Sequence, residues 1–291
     1  MNHKPEQMQR VRVREKDYML PESWQECDRD DMAIVTELLY TYKLYETAFF
    51  VSLALNLLSL RNKKLLRTYM KLDRLARHER KRGGHFFQEQ LTGLKDELYQ
   101  AARPLRKWVT EKPAATVPLW PELCHGKYLC ARPGMTDLRY IDYVQADAAC
   151  RDYFQAGDDA KAQQALNRLM CALYAPVSPK GSRKPIPEDD AKAMKRMEAD
   201  MAAQPLQVKL AALVFFESCN ALLLEEFPMI FSGSENGGGE SRFGPVGLII
   251  EVAGEKFGDV DKTAESNLYT LLTYLEKEAI KYDEFKRKYK K

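Results

Sequence analysis

Cys124, His125 and Cys130 could do chemistry by type, because two thiolates and an imidazole within one short stretch are zinc ligands. Their spacing, Cys-His-Gly-Lys-Tyr-Leu-Cys, lacks the closely paired cysteines of zinc sites, and no second Cys/His pair follows nearby. Cys150 and Cys171 could complete a set, but nothing in the pattern selects them. Small core residues are the plainer reading. Nucleophilic catalysis needs a base beside a nucleophile. Of the four histidines, His3 and His78 sit in terminal or basic contexts, leaving His85 and His125. In an extended segment Cys124 and His125 point to opposite faces. Gly237, Gly238 and Gly239 lack a following Gly-Lys-Ser/Thr and lie between Glu235 and Glu240, so they are no phosphate loop. Gly254 and Gly258 read as a helix stop and a tight turn. The expectation is a protein that is not an enzyme, with no catalytic, cofactor or metal residues.

The one sharp surface feature is the stretch 61–82, where ten lysines and arginines face two acids, Asp73 and Glu79. At 100° per residue, Lys63, Lys64, Arg67, Lys71, Arg74, His78, Lys81 and Arg82 gather on one side. Leu65, Leu66, Tyr69, Leu72 and Ala76 fall largely opposite. This predicts a basic amphipathic helix, stopped by Gly83 and Gly84. Such a face suits phosphates or an acidic protein patch. It equally suits a solvated face, paired with acids from 28–31 or 188–190. No aromatic residue is interleaved with its cations, which weighs against stacking on single strands.

The elements that must position this face are mostly helical. Pro205 and Pro228 bracket an apolar rod about 34 Å long at 1.5 Å per residue. Leu210 to Phe216 is apolar without a break, so this helix, 205–227, is wrapped on all sides. Glu217 and Asn220 interrupt it and need hydrogen-bond partners if buried. Residues 30–60 form a second core helix, bent or divided near Thr41 and Tyr42. Arg-Val-Arg-Val-Arg in 9–20 alternates as a half-buried strand and predicts a hairpin, with Trp24 anchoring the chain beyond it. Helix resumes over 85–109, with Phe86, Phe87, Leu91, Leu94, Leu98 and Ala101 inward and Pro104 kinking or ending it.

The prolines of 111–121 mark a boundary, followed by short strands around Tyr128 and Leu129. Helices are expected over 138–154, 159–174 and 188–203, the last with Met194, Met197 and Met201 as a core edge. The stretch 175–187 reads as an exposed, mobile loop, and 232–241 as a flexible connector. Helices over 244–253 and 261–288 close the chain, with Leu268, Leu271, Leu272, Leu275, Ala279 and Tyr282 inward in the last. The fold class is all-α and bundle-like, with an N-terminal β-hairpin and a second short strand pair near 117–130. Two parts are expected, 1–110 and 117–291, able to pack as one domain.

The chain is long enough, at 291 residues, for an ample core. A net charge of +3 is too balanced to argue for nucleic acid in bulk, so any such case rests on local clustering. The first ten residues are polar and lack the apolar run of a secretory signal. The apolar span 47–60 is short for a bilayer. Six scattered cysteines fit reduced thiols in a cytosolic protein.

Several segments together carry a resemblance. YMLPESWQE (18–26) resembles the Leu-Pro-x-Ser-Trp-x-Glu start of mostly helical, largely uncharacterised proteins encoded in tailed-phage and prophage clusters of Bacteroides-type bacteria. LRYIDYVQADAACRDYF (138–154) and LNRLMCALYAP (166–176) are similar to that family's two middle helices. FPMIF (227–231) and VAGEKFGDVDKTAESNLYTLLTYLEKE (252–278) resemble its ending. Two departures are Arg139-Tyr140, where the pattern has a helix-capping Thr, and the basicity of 61–82. The resemblance brings no catalytic residues. It implies a phage structural or assembly protein of the tail or virion, acting through protein–protein contacts with phage-encoded partners or with itself. It would work in the host cytoplasm or in the virion, without a membrane. The alternative is a nucleic-acid-binding accessory protein that uses the basic helix.

Overall fold

The alternation of arginine and valine folds as expected: β1 (Met8–Val13) pairs antiparallel with β2 (Lys16–Pro21) in the register Val13↔Lys16. Arg14 and Glu15 form the two-residue turn at φ 46° and 61°, the left-handed pair that matches strand twist. Val11, Val13, Tyr18 and Leu20 are buried. The computed structural model describes residues 8–41, 47–109, 115–187, 190–231 and 257–289. The chain divides into two compact units, Met1–Ala114 and Ala115–Lys291, and the fold is mostly helical with one two-stranded and one three-stranded sheet.

In the first unit, the helix expected over 30–60, bent or divided near Thr41 and Tyr42, is described as α1 (Arg29–Thr41) and α2 (Thr47–Arg61), and 42–46 lie outside the described residues. α2 is the unit's centre, packed by α1, by α3 (Lys63–Arg80) and by α4 (Phe86–Ala102). Phe49, Phe50, Leu53, Leu57 and Leu58 on α2 are all buried. Each such side chain contributes roughly 1.5–3 kcal/mol. Pro104 ends α4 in a short 3-10 turn before α5 (Arg106–Val109). Trp24 and Trp108 lock the hairpin's exit: each indole N–H donates to a backbone carbonyl, of Trp108 at 2.9 Å and of Pro21 at 3.2 Å. Their rings meet edge to face at 5.2 Å. Phe86 is 61% exposed, not inward, because it is the first residue of α4 and lies beyond the reach of α2.

In the second unit, β3 (Glu122–Leu123) and β4 (Tyr128–Cys130) are the expected strand pair, extended by a third strand, β5 (Tyr174–Pro176). α6 (Tyr140–Gln155) and α7 (Asp159–Leu173) form a helical hairpin. α8 (Ala191–Ala202) buries Met197 and Met201 but leaves Met194 exposed. α9 (Leu206–Glu226) is the apolar rod, followed by α10 (Pro228–Phe231). By length and composition α9 could cross a membrane, and it passes that test where 47–60 does not; 67% of its most apolar window is buried within the unit. Asn220 accepts the Tyr143 hydroxyl at 2.8 Å, and buried Lys209 donates from Nζ to the Ala202 carbonyl at 2.8 Å.

The expected final helix is two: α11 (Val260–Ala264) and α12 (Leu268–Tyr289). The break at 265–267 is pinned by long-range pairing, with Tyr140 N–H donating to the Ser266 carbonyl at 2.9 Å and Asn267 Nδ2 to the Thr136 carbonyl at 2.8 Å. Thus Arg139, which occupies the cap position of α6 without a side-chain cap, is replaced in that duty by backbone from 266. Its guanidinium instead holds both oxygens of Asp142, at 2.9 and 2.8 Å. Tyr282 is exposed, not inward, whereas Leu268, Leu271 and Leu272 are buried: the helix outruns the described surface that it packs on. The connector 232–241, the helix expected over 244–253, the three glycines and Gly254 lie outside the described residues.

Candidate functional site

The basic face is built from the start of α3 upward. Asn62 caps the helix: its Oδ1 accepts the Lys64 backbone N–H at 3.0 Å, and its Nδ2 donates to the Tyr18 hydroxyl at 3.1 Å. This fixes the first turn against the β-hairpin. Leu65, Leu72 and Ala76 are buried, so Lys63, Lys64, Arg67, Lys71, Arg74, His78, Lys81 and Arg82 are all exposed. Leu66 and Met70 belong to this outer surface too, at 38% and 57% exposure. Leu66 was expected inward, but it sits about 100° from the Leu65 direction and misses both α2 and α4.

Arg61, first of the ten basic residues, is not part of the face. It ends α2, and its two terminal nitrogens hold the Asp31 carboxylate at 2.8 and 2.7 Å. Asp31 is fully buried, so this pair ties α1 to α2. The Asp31 carboxylate, hydrogen-bonded to the guanidinium, also raises the Arg61 pKa.

Both acids of α3 are engaged. Asp73 pairs with Arg77 one turn on. Glu79 turns back to cap α4, accepting the backbone N–H groups of Phe86 at 3.0 Å and Phe87 at 2.7 Å. Gly83, at φ 75°, and Gly84 make that return possible; a Cβ on Gly84 would lie 2.6 Å from Glu79 Cγ. Of the acids in 28–31 and 188–190, Asp28 and Asp190 serve as helix caps and Asp31 pairs with Arg61. Asp28 caps α1 through the Asp31 N–H at 2.8 Å, and Asp190 caps α8 through the Ala193 N–H at 2.9 Å. Among the described residues, none of the eight side chains makes an ion pair.

The charges fall at both ends of the helix's own field. Arg77, His78 and Arg80 lie in the last turn, where the negative end of the dipole favours them. Lys63 and Lys64 lie in the first turn, where no acid is present and the dipole is positive. That placement costs on the order of 0.3–1 kcal/mol for each cation. An anionic partner over the first turn removes the cost.

Cys124 and His125 are not in an extended segment. Both adopt left-handed backbone, φ 52° and 58°, in the tight turn between β3 and β4. Cys124 Sγ accepts from Gln204 Nε2 at 3.4 Å. Cys130 is buried on β4, and burial pushes its thiol up to about 12, far from a reactive thiolate. Among the described residues, no three His, Cys, Asp or Glu side chains are placed to hold a metal.

The stretch 175–187 is exposed over 179–182, as expected, and has an internal closure that its composition does not announce. It is a turn closed by Ser178 N–H to the Ser182 carbonyl at 2.8 Å, and it returns to pair Val177 with Arg183. The Arg183 side chain, missed by sequence reasoning, is only 7% exposed. A lone arginine between Ser and Lys gives no sign of burial. Comparison with protein-family models, curated proteins and solved structures finds no match to this chain.

Proposed function

We propose that this chain is a non-enzymatic assembly or structural protein that works by docking the exposed face of α3 onto an acidic surface of another protein. The observation that carries this reading is the pair Lys63 and Lys64, set at the positive end of their helix with no acid in the first turn. A merely solvated face has no reason to hold cations where they weaken the helix; a docking face does. Exposed Leu66 and Met70 beside the stripe favour a protein partner, since they add apolar contact that a phosphate backbone does not reward. Following the resemblance of the segments around Trp24, Tyr143 and Asn267, the partner is a phage-encoded protein or a second copy of this chain. The setting is a tail or virion module in the host cytoplasm.

Size-exclusion chromatography with light scattering tests this, with the chain co-expressed with the proteins encoded beside it. A defined complex at low salt that loosens at high salt is expected. A monomer that ignores every neighbour contradicts the reading. Elution with nucleic acid that is shed as salt rises moves the function to the alternative, nucleic-acid binding by the same helix.

A further inference from the structure

Arg183 is anomalous. A guanidinium buried to 93% of its side chain should be fully paired, because an unsatisfied buried charge is costly. Here Nη2 donates to the Leu173 carbonyl at 3.2 Å, while Nη1 reaches the Asp137 carbonyl and Oδ1 only at 3.4 and 3.5 Å. Nε is buried with no partner among the described residues. Charge-assisted bonds are normally about 2.7–2.9 Å. Asp137 is held instead by the backbone, its Oδ1 accepting the Arg132 N–H at 2.7 Å while Arg183 stays at 3.4 and 3.5 Å. The Arg132 guanidinium is equally loose, at 3.9 Å from Asp137 Oδ2 and 72% exposed.

The two arginines line one cavity of about 200 Å³, walled by Pro118, Pro121, Leu129 and Pro133. Two guanidinia and one carboxylate leave it one positive charge in excess. We propose that this cavity binds a carboxylate carried on a short apolar stem, with Arg183 as its buried donor and Arg132 closing over it from the mouth. The proline walls suit carbon rather than a fully hydrated dianion, and a monoanion completes the charge balance. The site is independent of the α3 face, and its scaffold is preorganised: Lys184 N–H donates to the Pro176 carbonyl at 2.8 Å, holding Arg183 against β5.

The test is an NMR titration of the nitrogen-15-labelled full chain with butyrate, its neutral isostere butyramide, and inorganic phosphate. Butyrate is expected to give saturable shifts at the Arg183 Nε–H and at Gly181 and Ser182. Butyramide and phosphate are expected to bind at least about tenfold more weakly. Arg183→Met should abolish the shifts. Because that variant can lose its fold, Arg132→Ser, on an exposed side chain, serves beside it and should weaken butyrate several-fold. A peptide ending in free leucine separates the sources: tighter binding than butyrate assigns the ligand to a chain terminus, and no gain assigns it to a free small acid. Absence of saturable shifts, equal affinity for butyramide, preference for phosphate, or an unaffected Arg132→Ser variant overturns the proposal.

Discussion

Glu79 accepts the backbone N–H of Phe87 at 2.7 Å, so the last acid on α3 serves the next helix instead of its own. One carboxylate thereby starts α4, and Lys81 and Arg82 beside it make no ion pair among the described residues.

Removing that carboxylate should be costly. Glu79→Ala is expected to destabilise the first unit by about 1–2 kcal/mol, as loss of a helix cap does. Gly84→Ala should act in the same direction, since its Cβ would displace Glu79 Cγ. Urea unfolding followed by circular dichroism measures both.

Arg61 and Lys71 are both in the basic stretch, yet they should behave oppositely. Arg61→Met leaves the fully buried Asp31 carboxylate unpaired and should cost about 3 kcal/mol or more. The double variant Asp31→Leu/Arg61→Met should recover most of that loss. Lys71→Glu, on the exposed face, should stay within about 0.5 kcal/mol of the parent. Equal losses at both positions would show that the face is structural.

Alkaline pH should weaken the fold. Burial pushes the thiols of Cys130, Cys150, Cys171 and Cys219 up to about 12 from an ordinary 9.0. Between those values the unfolded chain loses thiol protons that the folded chain keeps, so the unfolded state binds fewer protons and stability falls as pH rises. The contribution is complete below about pH 9 and is lost towards about pH 12. The urea midpoint should drop between about pH 8 and about pH 10.5, and less so when Cys150 and Cys219 are both replaced by Ala.

Along α9, Phe215→Ala should cost about 3–5 kcal/mol, because the ring is buried and its neighbours close only partly. Leu224→Ala, on a residue 46% exposed, should be close to neutral. Thermal denaturation of the two variants compares them directly.

What was legible in the sequence follows from how local each signal is. α2 and α9 declare themselves because apolar residues on every side of a helix leave it no place but a core. The basic side of α3 is legible because 100° spacing needs no partner to be known. Leu66, Phe86 and Tyr282 were misplaced because a helical wheel gives direction but not how far the neighbouring surface extends. The break at 265–267 depends on Tyr140 pairing with Ser266 and Asn267 with Thr136, and Arg183 lies in the turn that follows β5, itself paired with β4. None of these pairings leaves a trace in the residues beside it. Pro, Ser, Gly and Lys around Arg183 look alike in a mobile loop and in a closed turn.

The most direct test of the central claim is the elution mass of the wild-type chain against the triple variant Lys64→Glu/Arg67→Glu/Lys71→Glu, each co-expressed with its gene-cluster neighbours. The account predicts a wild-type complex of defined mass at low salt and a folded, monomeric triple variant. A triple variant that still assembles with the same mass would contradict the assignment of α3 as the docking face.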